Sequence, residues 1–314
     1  MPNVRRQTTL IDSASTRSLS LHGGRDTRLT LHPAPVGTGL LFRRTDVTDR
    51  DNIIAVDPSA VVDIRNCTTL GNAADVRVST VEHLLSALSA AGLDNLIIDI
   101  DGPELPAEDG SAEPFMQMIE EAGITRQAAP RRYLRVLQPV SVESQSGAHA
   151  RIEPCEQLEL DVTIEFEDEA IGYQRVALSP DVRGFRDRLA SARTFARKHE
   201  VAALQAAGLS MGGSFDNAVL VDGADVLNPG GLRQEDEFVC HKALDLLGDL
   251  YVAGPILGRI TAFKPGHALN HALLTKLLAT PGAWEPCELP GSRALVSLMR
   301  SRRRPVLPNR PVPA

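Results

Sequence analysis

The order of strand-like and helix-like segments is the feature that most limits how this chain can fold. Short segments rich in β-branched and apolar residues come first, helical periodicity follows, and the same order then repeats in the second half. A Rossmann-type sheet would instead alternate strand and helix along the chain. The sequence therefore predicts the α+β class, with one set of α+β layers in each half.

The predicted elements of the first half are bounded by glycine, proline, aspartate or asparagine. They are the strands LTLHPAP, GLLFRR, NIIAV and NLIIDIDG and the helices STVEHLLSALSAAG and PFMQMIEEAG, which Gly92 and Gly123 are expected to end. In the second half, the predicted elements are the strands YLRVLQPVSVES, ARIEP, LELDVTIEF, QRVALS and RITAFKP and helices around 183–207, 235–252 and HALNHALLTKLLAT.

The segment TRQAAPRR, residues 125–132, has no apolar periodicity and is the predicted linker. We accordingly expect an N-terminal domain at 1–128, a C-terminal domain at 129–300 and a basic, proline-rich tail at 301–314. Two interpretations of the tail remain open. It is either a solvated, frayed terminus or a segment attracted weakly to an anionic membrane surface.

The charge balance and the cysteines exclude some classes of protein. A formal net charge of −7 argues against a general nucleic-acid binder, which is usually basic. The four cysteines are scattered without a CxxC pair, as expected of reduced thiols in the cytosol. The chain also contains no apolar run of signal-peptide or membrane-span length at its start or elsewhere, so we expect a soluble, cytoplasmic protein.

The segment EFVCHKALDLLGDLYV allows two interpretations. His241 and Asp245 have i,i+4 spacing, so both side chains project from one helical face and could bind one metal ion. On a helical wheel, however, these two residues and Lys242 and Asp249 fall within about 100° of one another, opposite the apolar side chains. Periodicity alone favours a solvated polar stripe over a metal site.

Two other pairs of polar residues are equally ambiguous. Glu82 can be the partner of Ser79 in a helix-capping box, and His83 beside it can be a half-buried histidine. His267 and His271 share the i,i+4 spacing but have no acid between them. From the residues alone, a zinc hydrolase and an ordinary α+β protein with a solvated helix both stay open.

Five motifs in order resemble UDP-3-O-acyl-N-acetylglucosamine deacetylases, the zinc amidases of lipid A biosynthesis. The resemblance runs from about residue 5 to about residue 280. It is carried by STVEHLLSALSAAGLDNLIIDIDGPELPAEDGSAEPF, SARTF, GGSFDNAVLV, EDEFVCHKALDLLGDL and FKPGHALNHALL. It implies two α+β domains of similar layered architecture, with their helices packed face to face and the zinc site between them. The implied reaction is hydrolysis of the N-acetyl group of the UDP-linked sugar, giving acetate, as the committed step of lipid A biosynthesis.

The resemblance also implies a metal site and the base beside it. The family's ligands to zinc (Zn2+) fall on His83 of TVEHL and on His241 and Asp245 of HKxxD. The glutamate before the first ligand, which the family uses as general base, is Glu82. Such a metal lowers the pKa of water and polarises an amide carbonyl.

The other catalytic residues are implied in the same way. The histidine of GHALN, the family's general acid, is His267, and Asp249 would hold that imidazole and raise its pKa. The threonine of ARTF, expected near the reacting carbonyl, is Thr194. Lys242, beside the second ligand histidine, would point toward the substrate.

The substrate implied is a UDP-linked, acylated amino sugar, with no nucleic-acid polymer as partner, at most peripheral membrane contact and a monomeric protein. An insert at 195–222 is expected to form an apolar passage for the acyl chain, with plain core packing as the alternative for each of its residues. Leu204 and Leu209 belong to the same passage. The predicted substrate-binding residues are His22, Phe166, Phe195, Lys242, Ala203, Ala207 and Met211.

The chain departs from the family pattern at three places outside the metal set. It has SLSLHGG where a Gly-rich GVGLHTG-like start is usual, although His22 still matches the histidine of that motif. Asp168 and Glu169 stand where a His-Pro pair is common, and Cys240 replaces an arginine before the second ligand histidine. Two alternatives stay open. One is a non-catalytic homologue that only binds a nucleotide sugar or a partner, and the other, which the Asp168-Glu169 departure supports, is a deacetylase of another amino sugar.

Overall fold

The computed structural model describes residues 4–291, which form α+β layers as predicted. The helices are α1 Glu82–Ala91, α2 Glu113–Ala122, α3 Val182–Gly184, α4 Lys198–Ala206, α5 Glu237–Leu250 and α6 His267–Ala279. The strands of the first half are β1 Arg6–Leu10, β2 Ala14–Leu19, β3 Asp26–Pro33, β4 Leu40–Arg44, β5 Ile53–Ala55, β6 Val61–Asp63, β7 Thr69–Gly71, β8 Arg77–Val78, β9 Leu96–Ile100 and β10 Ile124–Pro130. Those of the second half are β11 Arg132–Val136, β12 Val140–Glu143, β13 His149–Glu153, β14 Leu158–Glu165, β15 Tyr173–Leu178, β16 Phe195–Arg197, β17 Val219–Asp222, β18 Asp225–Val226, β19 Ile256–Phe263 and β20 Trp284–Glu288.

The two halves share one topology although their sequences show no repeat. In the first sheet, β9 lies antiparallel to β3 and parallel to β4, and the hairpin partners β2 and β5 lie outside them. In the second, β19 lies antiparallel to β13 and parallel to β14, flanked in the same way by β12 and β15. The central strand follows α1 in one half and α5 in the other, and leads into α2 and α6. The fold is therefore a structural duplication.

The equivalent helices α1 and α5 pack directly against each other, as predicted for helices packed face to face. A Cβ atom at Gly248 would lie 2.0 Å from the carbonyl oxygen of Glu82, so only glycine allows this approach. Ser86 Oγ donates a 2.6 Å hydrogen bond to the carbonyl of Leu244 across the same contact. The contact brings the first turn of α1 next to the middle of α5.

Helix α5 is buried along its whole length. Every residue from Glu237 to Leu250 except Lys242 is buried, including His241, Asp245 and Asp249. The interpretation of this face as a solvated stripe is therefore wrong. Buried ionisable groups destabilise a fold unless they are paired or bind a metal. The polar side chains of α5 therefore need either paired groups or a metal ion beside them.

Each half carries an insert at the same point of its topology. Strands β6, β7 and β8 form a small sheet between β5 and α1. Strands β16, β17 and β18, together with α3 and α4, lie between β15 and α5. Residues of both inserts reach the junction between α1 and α5.

Three local predictions are wrong. Residues of the predicted linker 125–132 form β10, which pairs antiparallel with β1, because main-chain hydrogen bonds hold a solvated two-stranded ribbon without apolar periodicity. The predicted helix around 183–207 is interrupted: a π-helical turn follows α3, and β16 precedes α4. Ser79 does not cap α1, which starts after Val81 without a side-chain cap.

Other predictions at the element ends hold. Gly92 ends α1 with φ of +73°, a left-handed conformation that glycine adopts without strain.

The cysteines at 67, 155, 240 and 287 are free thiols. Within residues 4–291, no helix is long and apolar enough to cross a bilayer. The tail at 301–314 lies outside the described residues.

Candidate active site

Three residues from α1 and α5 form a buried cluster at the contact between these helices. The carboxylate oxygen Oδ1 of Asp245 lies 3.5 Å from Nε2 of His83 and 3.4 Å from Nε2 of His241. The two imidazole rings are edge-to-face, with centroids 4.9 Å apart. Tetrahedral zinc with ligand bonds of about 2.0–2.1 Å separates its ligand atoms by about 3.3–3.4 Å. The two distances from Asp245 Oδ1 to the imidazole nitrogens are therefore close to the distances between ligand atoms in a metal site.

The hydrogen bonding and protonation of the cluster also suit a metal ion. His241 Nδ1 donates to the carbonyl of Ala192 at 3.1 Å, which leaves Nε2 without a proton and directed into the cluster. Burial lowers the pKa of His241 to about 4, so the imidazole is neutral at pH 7. Asp245 Oδ1 is buried and, within the described part of the chain, accepts no hydrogen bond. This orphaned acceptor between two imidazole nitrogens fits a cation.

Lys242 completes the surroundings of the cluster. Its Nζ donates to the other carboxylate oxygen of Asp245, Oδ2, at 2.8 Å. Burial works against ionisation of Asp245, but the interactions with His241 and Lys242 outweigh it and keep the pKa of that carboxyl well below its ordinary value. Asp245 is therefore available as an anionic ligand.

Glu82 and His267 face each other beside the cluster. Glu82 is the first residue of α1 and is 3% exposed, and its Oε1 lies 3.9 Å from Nε2 of His267. Burial raises the pKa of the Glu82 carboxyl, which makes its carboxylate a stronger base. Because the predicted capping box is absent, this side chain is free to point into the site.

His267 is held by Asp249. Its Nδ1 lies 2.9 Å from Oδ2 of Asp249, which is itself 4% exposed. Burial alone would lower the pKa of His267, but the charge and hydrogen bond of Asp249, together with the charge of Glu82, raise it to about 10. The imidazole is thus a cation at pH 7 and can donate a proton from Nε2.

Two further residues hold Asp249, and neither was identified from the sequence. Thr68 Oγ1 donates to Oδ1 of Asp249 at 2.6 Å, and Asn270 Nδ2 donates to Oδ2 at 2.8 Å. Asn270 lies three residues after His267 on α6, so helical spacing could have identified it. Thr68 gave no such signal, because it lies in a loop 181 residues away from Asp249 in sequence.

Thr194 and Phe195 line the same cavity as the cluster. The N–H of Thr194 donates to the carbonyl of Gly110 at 2.8 Å, and its carbonyl accepts from the N–H of Val219 at 2.8 Å, so its backbone is fixed on both sides. The Phe195 ring lies 5.6 Å from the Lys242 ammonium, within cation–π distance.

A cavity of about 930 Å³ opens from the cluster and extends along α4. Most of the predicted site residues line it. They are His22, Glu82, His83, Thr194, Phe195, Ala203, Leu204, Ala207, Leu209, His241, Lys242, Asp245 and His267. The cavity thus joins the polar cluster to an apolar wall.

Two predicted substrate-binding residues lie outside the cavity lining. Met211 is 59% exposed, because the N–H groups of Met211 and Gly212 bond the carbonyls of His22 and Leu21 and turn the chain outward. Met211 is thus absent from the cavity lining, and its assignment to the acyl passage stays a prediction. The ring of Phe166 packs edge-to-face against Phe195, with centroids 5.7 Å apart.

Two regions near the cavity make contacts within the fold. One contains Asp168, where the chain departs from the family pattern, and the other is the loop that carries His22. Asp168 Oδ2 lies 3.6 Å from Nη1 of Arg197, which also packs over the ring of Phe166 at 5.7 Å. The N–H of His22 donates to Oε1 of Glu104 at 2.8 Å, and burial lowers the pKa of this histidine. His22 is thus a neutral group at the edge of the cavity.

The arrangement has the parts of a hydrolytic site. A His–His–Asp cluster with the geometry of a metal site shares one cavity with a buried carboxylate and a charged imidazole, at the junction of two α+β halves. Fold and site together define a class, the hydrolases in which a buried carboxylate and an imidazole lie beside a group of residues that could hold a metal ion.

Comparison with known proteins identifies the family within this class. Residues 7–279 match the model of the LpxC family, described as UDP-3-O-acyl N-acetylglycosamine deacetylase. The chain belongs to this family.

Similar proteins include three with the name UDP-3-O-acyl-N-acetylglucosamine deacetylase. The one from Phenylobacterium zucineum (strain HLK1) is 49% identical over 267 residues, covering 85% of this chain and 91% of that protein. The one from Vibrio parahaemolyticus is 44% identical over 283 residues, with 89% and 92% covered. The one from Neisseria meningitidis serogroup C is 42% identical over 290 residues, with 91% and 94% covered.

Proposed function

We propose that this chain is a cytoplasmic, zinc-dependent deacetylase that removes the N-acetyl group of UDP-3-O-acyl-N-acetylglucosamine in lipid A biosynthesis. One observation carries the proposal: His83, His241 and Asp245 form a buried cluster next to Glu82 and His267 in a single cavity. Family membership supports the same substrate. The products are acetate and the UDP-linked sugar with a free 2-amino group.

Zinc is the metal that the donor set suits best. Two imidazoles and one carboxylate are a ligand set of catalytic zinc sites, which keep a further position open. When bound, zinc supplies a Lewis acid that makes water more acidic and polarises the acetyl carbonyl.

Glu82 acts as the general base. Its buried carboxylate takes a proton from the water molecule whose oxygen attacks the acetyl carbon. The raised pKa of this carboxyl improves proton transfer, because a base whose conjugate acid has a pKa nearer 7 removes a proton more readily at neutral pH. Thr194 and Lys242 line the same cavity, and we assign them to stabilise the oxygen that gains negative charge.

His267 acts as the general acid. It carries a proton on Nε2 at pH 7 and lines the same cavity as the cluster, so it can protonate the amide nitrogen as the C–N bond breaks. The proton that Glu82 receives and the proton that His267 gives balance over the cycle. Asp249 positions the imidazole and keeps it charged.

The cavity supports the assignment of the substrate's two ends. Its wall along α4 carries Ala203, Leu204 and Ala207, which suits an apolar acyl chain. His22 lies at the polar part of the lining, and we assign the nucleotide end to that side. This division follows the polarity of the substrate.

A non-catalytic homologue is not favoured. A protein that only binds the nucleotide sugar has no use for a buried glutamate facing a charged histidine, because burial of both groups destabilises the fold. Asp168, at one departure from the family pattern, pairs with Arg197 rather than with a residue of the cluster. Deacetylation of another amino sugar is an outcome of the test below.

The test measures acetate release from UDP-3-O-acyl-N-acetylglucosamine and from UDP-N-acetylglucosamine. We expect the wild type to release acetate from the acylated substrate, and Glu82→Gln to be slower by about 100-fold or more. Glu121→Gln is the matched control, because Glu121 is exposed on α2. Equal rates of Glu82→Gln and wild type would contradict the assigned base. Release only from the substrate without an acyl chain would favour a different amino sugar.

A further inference from the structure

Thr68, in the loop between β6 and β7, contacts the base Glu82 and Asp249, the partner of the acid His267. Its backbone N–H donates to Oε2 of Glu82 at 3.1 Å, and its hydroxyl donates to Oδ1 of Asp249 at 2.6 Å. The residue is 3% exposed, so water does not compete for these bonds. Its carbonyl also accepts from the N–H of Val81 at 3.3 Å, just before α1.

These two bonds fix which oxygen of each carboxylate faces His267. With Oε2 held by Thr68, Glu82 presents Oε1, which lies 3.9 Å from Nε2 of His267. With Oδ1 held by Thr68, Asp249 presents Oδ2, which lies 2.9 Å from Nδ1 of the same ring. The imidazole thus lies between two carboxylates that one threonine orients.

Thr68 also links the two halves of the fold at this point. Glu82 lies on α1 of the first half and Asp249 on α5 of the second, and Thr68 belongs to the insert of the first half. A shift between the halves would change the bond to Asp249, whereas the bond to Glu82 lies within the first half.

We propose that Thr68 is a positioning residue that sets the relative orientation of the base Glu82 and of Asp249, the partner of the acid His267. The inference rests on the proposed function, since it gives these three residues their roles. Thr68 does not touch the cluster of His83, His241 and Asp245, so the proposal concerns acid–base catalysis and leaves metal binding unchanged.

The first experiment compares Thr68→Val with Thr68→Ser. Valine keeps the shape and the backbone N–H but leaves Oδ1 of Asp249 without its hydroxyl donor, whereas serine keeps the donor. We expect Thr68→Val to lower kcat by about 10- to 100-fold with KM within about threefold, because a hydrogen bond to a charged group is lost. Thr68→Ser should recover kcat to within about threefold of the wild type.

The matched control is Thr69→Val. Thr69 is also buried, at 6% exposure, and its hydroxyl bonds Ser79 Oγ at 3.0 Å, away from both carboxylates. We expect this variant to keep kcat within about threefold. An equal loss in both valine variants would overturn the proposal, as would a Thr68→Val enzyme with wild-type kcat or a serine variant that fails to recover.

A double-mutant cycle separates positioning from a general loss of structure. If Thr68 acts through Asp249, adding Thr68→Val to Asp249→Asn should lower kcat by less than about threefold further. If the two substitutions lowered kcat by factors that multiply in the double variant, the proposal would be overturned. Should Thr68→Val not fold, Thr68→Ala replaces it in each comparison, because alanine adds no bulk.

A spectroscopic measurement distinguishes failure of this inference from failure of the proposed function. An absence of acetate release by the wild type contradicts the proposed function. The proton NMR signal of His267 Nδ1–H then tests Thr68 without turnover. We expect this signal to move in Thr68→Val and to stay in place in Thr68→Ser and Thr69→Val. An unmoved signal in Thr68→Val would overturn the inference.

Discussion

His267 and Asp249 form a buried pair in which the imidazole Nδ1 lies 2.9 Å from the carboxylate Oδ2. The two residues come from α6 and α5, and Nε2 of the imidazole faces Oε1 of Glu82. Because the carboxylate helps to raise the pKa of the imidazole to about 10, the pair controls the protonation state of the proposed general acid.

Replacement of Asp249 by asparagine should change the pH profile. In the wild type, the acid form of His267 persists at neutral pH and is lost as pH rises through about 10. Without the carboxylate, burial lowers the pKa of His267 with less opposition, so the basic limb of kcat should move to lower pH. At pH 7 we expect kcat to fall by about 100-fold. A basic limb at the wild-type position would contradict the role of Asp249.

Replacement of Gly248 by alanine should separate α1 from α5. The added Cβ would lie 2.0 Å from the carbonyl oxygen of Glu82, and no flexible side chain can move away to relieve the clash. We expect the free energy of unfolding to fall by about 1–3 kcal/mol, measured with urea. Gly230→Ala is the control, because no atom lies within 4 Å of a Cβ at that exposed position. Equal stability of the two variants would argue against the close helix contact.

Replacement of Ala203 by phenylalanine should narrow the apolar part of the cavity. Ala203 lines the cavity, whereas its neighbour Ala202, which is exposed like Ala203, lies outside the lining. We expect Ala203→Phe to raise KM by about tenfold for a long-chain substrate and to leave a short-chain substrate almost unaffected. Ala202→Phe should leave KM unchanged for both. If Ala203→Phe raised KM equally for the long-chain and the short-chain substrate, the assignment of this wall to the acyl chain would be contradicted.

The fold was largely predictable because its strands and helices follow clear apolar periodicity. The segment at 267–280 matches α6, His267–Ala279, within a residue. The β10 ribbon was missed, since its pairing with β1 depends on main-chain bonds that leave no periodic pattern. The duplication was also invisible in sequence, because the two halves share strand order and not side chains.

The site was only partly predictable from the residues. Spacing placed His241 and Asp245 on one face of α5, but wheel geometry cannot distinguish a solvated face from a buried one. The resemblance supplied the partners from other elements. Thr68 remained hidden, because its contacts with Glu82 and Asp249 arise only when the insert folds against both helices.

Zinc titration of metal-free protein tests the central claim most directly. Zinc content and acetate release from UDP-3-O-acyl-N-acetylglucosamine are measured together as zinc is added to chelator-treated wild type. We predict that both rise in parallel and reach their maximum at about one zinc per chain. Full acetate release without metal, or stoichiometric zinc binding without acetate release, would contradict the assignment of His83, His241 and Asp245 as the zinc site of a deacetylase.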